Sequence, residues 1–255
     1  MDISVVGYQG FIGSAVVRAI ERVGLHSICV GRTDKLSPHT QLVIDCNGTS
    51  SKSLTNKNPK VGYLDIVESV SERLMQLEGD PRYVYIYSGE VYGEEQDYSK
   101  EVDLIEVLEL SYYGKFKFEA EELIRGKFRN HLIVRPSGFV GVGLKKNPIF
   151  DLMQGSQVFV HEESLFQFCD VDWFADTILS VALNDFIGTL NVSASGSISI
   201  KDVTEQMKIQ RPKFAPEARL ELHRLDTALL SKFLEVPSTF TQVENYVTSL
   251  KNKCD

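Results

Sequence analysis

The strongest constraint on this chain stands at its start. A short run of mostly β-branched residues, Asp2 to Val6, leads into Gly7-Tyr8-Gln9-Gly10-Phe11-Ile12-Gly13. It continues into Ser14 to Val23, where Ala15, Val16, Ala19, Ile20 and Val23 recur at helical spacing. Strand, glycine turn and helix in that order aim the helix N-terminus, with its unsatisfied N–H groups, at whatever lies beyond the strand end. In the G-x-x-G-x-x-G spacing the first glycine turns the chain, the second lets backbone approach a pyrophosphate, and the third lets the helix pack closely on the sheet. The residues Gly7, Tyr8, Gln9, Gly10, Phe11, Ile12 and Gly13 are therefore candidates for holding a dinucleotide.

The rest of the first half repeats strand and helix. His26 to Val30 and Leu42 to Ile44 read as buried strands, residues 50–59 as polar loop, and Leu64 to Leu77 as helix. Tyr83 to Tyr87 is the clearest strand of the chain, Tyr112 to Arg125 a helix, and His131 to Val134 a strand closed by Arg135-Pro136. Parallel neighbours need crossover connections, so this alternation predicts a Rossmann-type, doubly wound α/β domain over residues 1–135, with helices on both faces of a parallel sheet. Beyond Pro136 the alternation loosens. Residues 136–167 and 193–255 are expected to form a small C-terminal substrate-binding lobe, with 168–192 returning to the sheet.

Composition narrows the partners. The 27 Lys and Arg against 35 Asp and Glu leave a net charge of −8, without a run of five basic residues to track phosphates, so nucleic acid is not expected as a partner. No stretch reaches the roughly 20 apolar residues of a membrane span, and the chain enters a strand pattern without a leader, so the expectation is a cytoplasmic protein without membrane contact. Cys29, Cys46, Cys169 and Cys254 are scattered, and the five histidines show no ligand spacing. No metal site is expected, and the thiols read as buried and reduced.

Two further features carry chemistry. The second strand ends at Gly31-Arg32 without a carboxylate, and a guanidinium there suits a 2′-phosphate, so NADP is favoured over NAD, with nearby Asp34 as the alternative ribose contact. Tyr113 and Lys117 stand four apart in a helical pattern, on the helix that follows the strand ending at Ser88. A cation beside a phenol favours its ionised form, and Ser88 can bond the same substrate oxygen. The three make a proton relay suited to carbonyl reduction or alcohol oxidation.

With these residues in view the chain resembles an extended short-chain dehydrogenase/reductase of the NAD-dependent epimerase/dehydratase family, which acts mainly on nucleotide sugars. The matching stretches are Gly7 to Gly13, Tyr87-Ser88-Gly89-Glu90-Val91-Tyr92-Gly93, Tyr113-Gly114-Lys115-Phe116-Lys117 with Glu121, Arg135-Pro136-Ser137-Gly138-Phe139-Val140-Gly141, and Phe168 to Ala175. The resemblance implies that Tyr113 is the acid/base, that Lys117 binds the nicotinamide ribose and lowers the Tyr113 pKa, and that Ser88 orients the reacting oxygen. It gives Cys46, Asn47, Gly48 and Pro136 to the cofactor, and Ser88, Glu90, Lys145 and Asn147 to the substrate. Gly89 stands where family dehydratases keep an acid, which counts against water elimination. The implied activity is NAD(P)-dependent reduction of a keto group on a nucleotide-linked sugar. A nucleotide-sugar epimerase with tightly bound NAD, or a non-catalytic cofactor-binding sensor, are the alternatives. Apolar residues on two helices (Val67, Val70 and Leu74; Phe116, Phe118 and Leu123), together with the family's paired helices, imply a homodimer.

Overall fold

A computed structural model of the protein describes residues 1–49, 51–93, 95–209 and 212–252. The chain divides into two compact units. The first runs to Gly93 and takes in Val102–Pro136 and Ala175–Leu190, and the second holds the short stretch ending at Glu101, Ser137–Phe174 and the chain from Asn191 onward. Against the expected division, the strand Glu95–Ser99 falls in the second unit, as do residues 168–174 and 191–192, while Pro136 stays with the first.

In the first unit β1 (Ile3–Val6), α1 (Phe11–Arg22), β2 (Ser27–Val30) and β3 (Leu42–Asp45) are followed by α2 (Lys52–Lys57) and α3 (Pro59–Tyr63). A π turn, Leu64–Glu68, leads into α4 (Ser69–Gln76). Then come β4 (Arg82–Ile86), α5 (Tyr112–Lys127), β5 (His131–Pro136), α6 (Val171–Ala182) and β6 (Gly188–Val192). The sheet order is β6-β5-β4-β3-β1-β2, with β1 paired in parallel to both β2 and β3. Chain direction across the sheet therefore reverses between β1 and β3, the switch point at which open α/β sheets leave a crevice beyond the strand ends.

Both faces of the sheet are covered. Val6, Val43, Tyr83, Tyr85 and Ile133 pack with Val67, Val70 and Leu74 before and within α4 and with Ala120 and Ile124 of α5. On the opposite pleat Val5, Ile44, Val84, Leu132 and Val134 are equally buried. Parallel strands buried on both sides read as continuous apolar runs, which is why they were visible in the sequence.

Three local expectations change. Residues 51–59 are not loop but carry α2 and the start of α3, while Ser50 lies outside the described residues: Ser51 caps α2 by accepting the Leu54 N–H, and Pro59 opens α3 at a position that needs no donor. Strand β2 is the sheet edge, so Ile28 and Cys29 are exposed rather than buried. The thiols accordingly differ: Cys29 is exposed, Cys46 half-buried and Cys169 buried, while Cys254 lies outside the described residues.

The second unit is built on short strands. Strand Leu222–Leu225 lies between Glu95–Ser99 and Leu165–Phe166, and Phe168–Asp170 pairs in parallel with Gly138–Val140. Its core gathers Ile149, Val158, Phe168, Val203, Val243 and Val247. Among the described residues no helix is long and apolar enough to cross a membrane, and no group of three His, Cys, Asp or Glu is placed to hold a metal.

Candidate active site

The crevice between β1 and β3 is framed by two turns that touch. Gly7 adopts φ +73°, and a Cβ on it would lie 3.0 Å from the Asn47 backbone. A Cβ on Gly13 would lie 2.2 Å from the Gly7 carbonyl oxygen, so the helix start and the strand end meet with no room for a side chain. The Gly10 N–H donates to Gly7 O at 3.0 Å and closes the loop. Gly10 caps α1 without a side-chain bond, and no acidic residue stands in the first turn, so the positive end of α1 meets no carboxylate from its own first turn. A diphosphate fits this cradle; a side chain at position 13 does not.

The facing turn, Cys46-Asn47-Gly48, is held from beneath by a buried ion pair that the sequence did not reveal. Asp45 Oδ2 accepts from Arg73 Nε at 2.9 Å and from the Tyr83 hydroxyl at 2.7 Å, while its Oδ1 accepts the Asn47 N–H at 2.9 Å. One carboxylate therefore fixes the turn, the strand beside it and the helix above it.

Beyond Gly48 stands the relay. A Cβ on Gly48 would lie 2.9 Å from Lys117 Nζ, so the glycine is what admits the ammonium to this turn. Lys117 and Tyr113 lie one turn apart on α5, whose N-cap Ser111 accepts the Gly114 N–H. Lys117 Nζ sits 5.6 Å from the ring centres of both Tyr113 and Tyr87 and 5.8 Å from that of Tyr85. Burial draws the Lys117 pKa down to about 8, with Asp45 opposing and Arg73 assisting. The Tyr113 hydroxyl donates to Thr49 O at 3.3 Å and also bonds with Ser88, while its backbone N–H is taken by Asn56 Oδ1 at 3.0 Å. The expectation that Lys117 lowers the Tyr113 pKa is not met: burial and then the Glu90 carboxylate push it up, and the Ser88 hydrogen bond opposes them. Glu90 is itself paired with Lys52 Nζ at 2.7 Å, on the segment read from sequence as loop.

The sequence-derived residues thus separate into groups. Gly7 to Gly13, Cys46 to Gly48, Ser88, Glu90, Tyr113 and Lys117 surround the crevice, and Pro136 is buried at the C-terminal end of β5. Arg32 borders a pocket of about 540 Å³ at the end of β2 and is paired with Asp65. Lys145 and Asn147 belong to the second unit. Asn147 is a helix cap there, accepting the Phe150 N–H and donating to Phe139 O, both at 2.7 Å; Lys145 is an exposed loop residue. Not legible in the sequence were the pairing of Asp45 with Arg73 and the parts played by Thr49, Lys52 and Asn56. The Ser51 cap and Pro59 were the only local signals for that segment.

Comparison with solved structures gives full-length matches. The chain superposes on MoeE5 in complex with UDP-glucose and NAD with a TM-score of 0.83 at 18% identity over 100% of both chains. It superposes on dTDP-4-dehydrorhamnose reductase from Bacillus anthracis in complex with NADP with a TM-score of 0.81 at 16% identity, over 98% of this chain and 99% of that one. UDP-glucose 4-epimerase from Thermotoga maritima with UDP-glucose gives 0.81 at 16% identity over 100% of both. No protein-family model and no curated protein matches by sequence. At this identity the likeness shows the fold, the Rossmann-type α/β fold that these three proteins share.

Proposed function

We propose that this chain is an NAD(P)-dependent oxidoreductase of the short-chain dehydrogenase/reductase type that reduces a keto group on a nucleotide-linked sugar. The observation that carries the reading is the convergence of Ser88, Tyr113 and Lys117 beside a glycine cradle at the switch point of the sheet. The structural likeness to proteins crystallised with UDP-glucose, NAD or NADP supports the ligand class. Gly7 to Gly13 and the start of α1 would hold the diphosphate, and Cys46 to Gly48, Lys117 and Pro136 the nicotinamide half. When bound, the dinucleotide supplies the hydride chemistry.

Each residue of the chain then has a bounded task. Tyr113, kept protonated by burial and by Glu90, holds the proton that the new alkoxide takes, and to deliver it the hydroxyl exchanges Thr49 O for the substrate oxygen. Ser88 holds that oxygen in line. Lys117, with its pKa near working pH, is placed to accept or return a proton on the same side of the crevice. Lys52 pairs with Glu90, the carboxylate that acts on the phenol.

A second reading, an epimerase that retains NAD, is favoured by the UDP-glucose 4-epimerase among the similar structures. Mass spectrometry of ligands released from purified protein, with a thermal-shift screen of UDP- and dTDP-sugars in the presence of NADH and NADPH, tests both. A stoichiometric NAD that survives purification, without net consumption of added cofactor, selects the epimerase. Binding of neither dinucleotide nor any nucleotide sugar rejects both.

The proposed assembly is a homodimer that keeps the expected Phe116 and Leu123 but not the expected apolar residues before and within α4. Val67, Val70 and Leu74 are spent in the protein's own core. Exposed apolar surface lies instead on α3 and the start of α5, at Val61, Tyr63 and Tyr112, with Phe116 between the two tyrosine rings at 5.5 and 5.9 Å. Light scattering at micromolar concentration checks it, with Tyr63→Glu expected to yield monomer.

A further inference from the structure

The pocket at the end of β2 reads differently in three dimensions than in sequence. Arg32 was the cation expected to meet a 2′-phosphate, yet Asp65 takes its guanidinium at 2.5 Å. Asp65 stands in the π turn Leu64–Glu68, where the wider turn presents Leu64, Asp65 and Glu68 together to the pocket. The carbonyl of Asp65 is taken up by the Ser69 hydroxyl at 2.7 Å, so the turn is satisfied as it stands. At the strand end Asp34 Oδ2 accepts the Gly31 N–H at 2.8 Å, which leaves a carboxylate where ribose hydroxyls are read. Four carboxylates, Asp34, Asp65, Glu68 and Glu72, line the pocket against the guanidinium groups of Arg32 and Arg73, and Arg73 is committed to Asp45.

We infer that Asp65 sets the dinucleotide preference of this chain, by holding Arg32 away from a 2′-phosphate and placing a second negative charge beside it. The inference rests on the dinucleotide-binding reading above. A ribose bearing only hydroxyls enters without disturbing the Arg32–Asp65 pair and offers Asp34 a donor, a charge-assisted hydrogen bond. A phosphorylated ribose must share Arg32 with Asp65, whose carboxylate offsets the guanidinium charge, and lie among like charges. Arg32 is 78% exposed, and solvent screens such pairs, so the effect on affinity is modest, about fivefold.

The test titrates NADH and NADPH fluorescence against the full chain, Asp65→Asn, Asp65→Ser, and Asp65→Asn combined with Arg32→Ala. The wild type is expected to bind NADH more tightly than NADPH. Either single substitution should raise NADPH affinity about fivefold with NADH changed less than twofold, and the double substitution should lose that gain. Wild-type preference for NADPH, an unmoved ratio in both single variants, or a gain that persists without Arg32 would overturn the inference and leave the oxidoreductase reading standing. Binding of neither dinucleotide by the wild type overturns that reading and this inference with it.

Discussion

The two ends of the crevice treat charge in opposite ways. Around Lys117 the surroundings are three tyrosine rings and a glycine, the ammonium is buried, and burial governs its proton affinity. Around Arg32 the charges are numerous, paired and open to solvent, so each is worth little by itself. Desolvation builds reactivity, and a screened charge field only selects among ligands. Between the two ends stands Asp45–Arg73, a buried pair whose carboxylate carries the turn that separates them.

Five substitutions sharpen or break this contrast, taken from the largest expected effect to the smallest. Asp45→Ala leaves the Arg73 guanidinium buried without its anion and frees the Asn47 N–H and Tyr83 hydroxyl; chemical denaturation should show a loss of about 3–5 kcal/mol. A loss below 1 kcal/mol would mean that the site collapses around the gap.

Lys117→Met tests burial directly. Because the folded pKa is depressed from 10.5 to about 8, the cost of the buried charge is fully present below pH 8 and vanishes as pH rises through the unfolded value near 10.5. The variant should therefore be more stable than wild type at pH 7, by up to about 3 kcal/mol, with the advantage gone by pH 10.5. Dinucleotide binding should weaken at the same time. Equal stability across that pH range would show that Lys117 is not electrostatically strained.

Tyr113→Phe keeps the ring and removes the hydroxyl, so turnover of an identified substrate should fall by about 10² or more while the fold is unchanged. Ser88→Ala should cost less. Near wild-type turnover in Tyr113→Phe would remove the relay. The smallest effect belongs to the exposed end: Arg32→Ala should change unfolding free energy by less than about 0.5 kcal/mol, because a solvated pair is all it loses.

Much of the frame was legible because its signals are local. The apolar runs Tyr83–Ile86 and Leu42–Ile44 are strands buried on both faces, and such runs need no knowledge of their neighbours. The glycine spacing was legible because each glycine answers to a contact within a few residues, as Gly13 does to Gly7. Residues 51–59 read as loop because polar composition outweighs the cap at Ser51 and the proline at 59. Strand β2 was misread because alternation says nothing about which strand ends a sheet.

What the sequence determined by itself was the order of elements, the glycine cradle and the presence of Tyr113 and Lys117 on one face of a helix, all consequences of spacing along a single stretch of chain. Only the tertiary structure decided the electrostatics. Asp45 meets Arg73 across 28 positions, Arg32 meets Asp65 across 33, and Tyr113 meets Thr49 across 64. Burial, which moves the proton affinities of Tyr113 and Lys117 in the directions seen here, is a property of everything packed around a group, and no window along the sequence contains it.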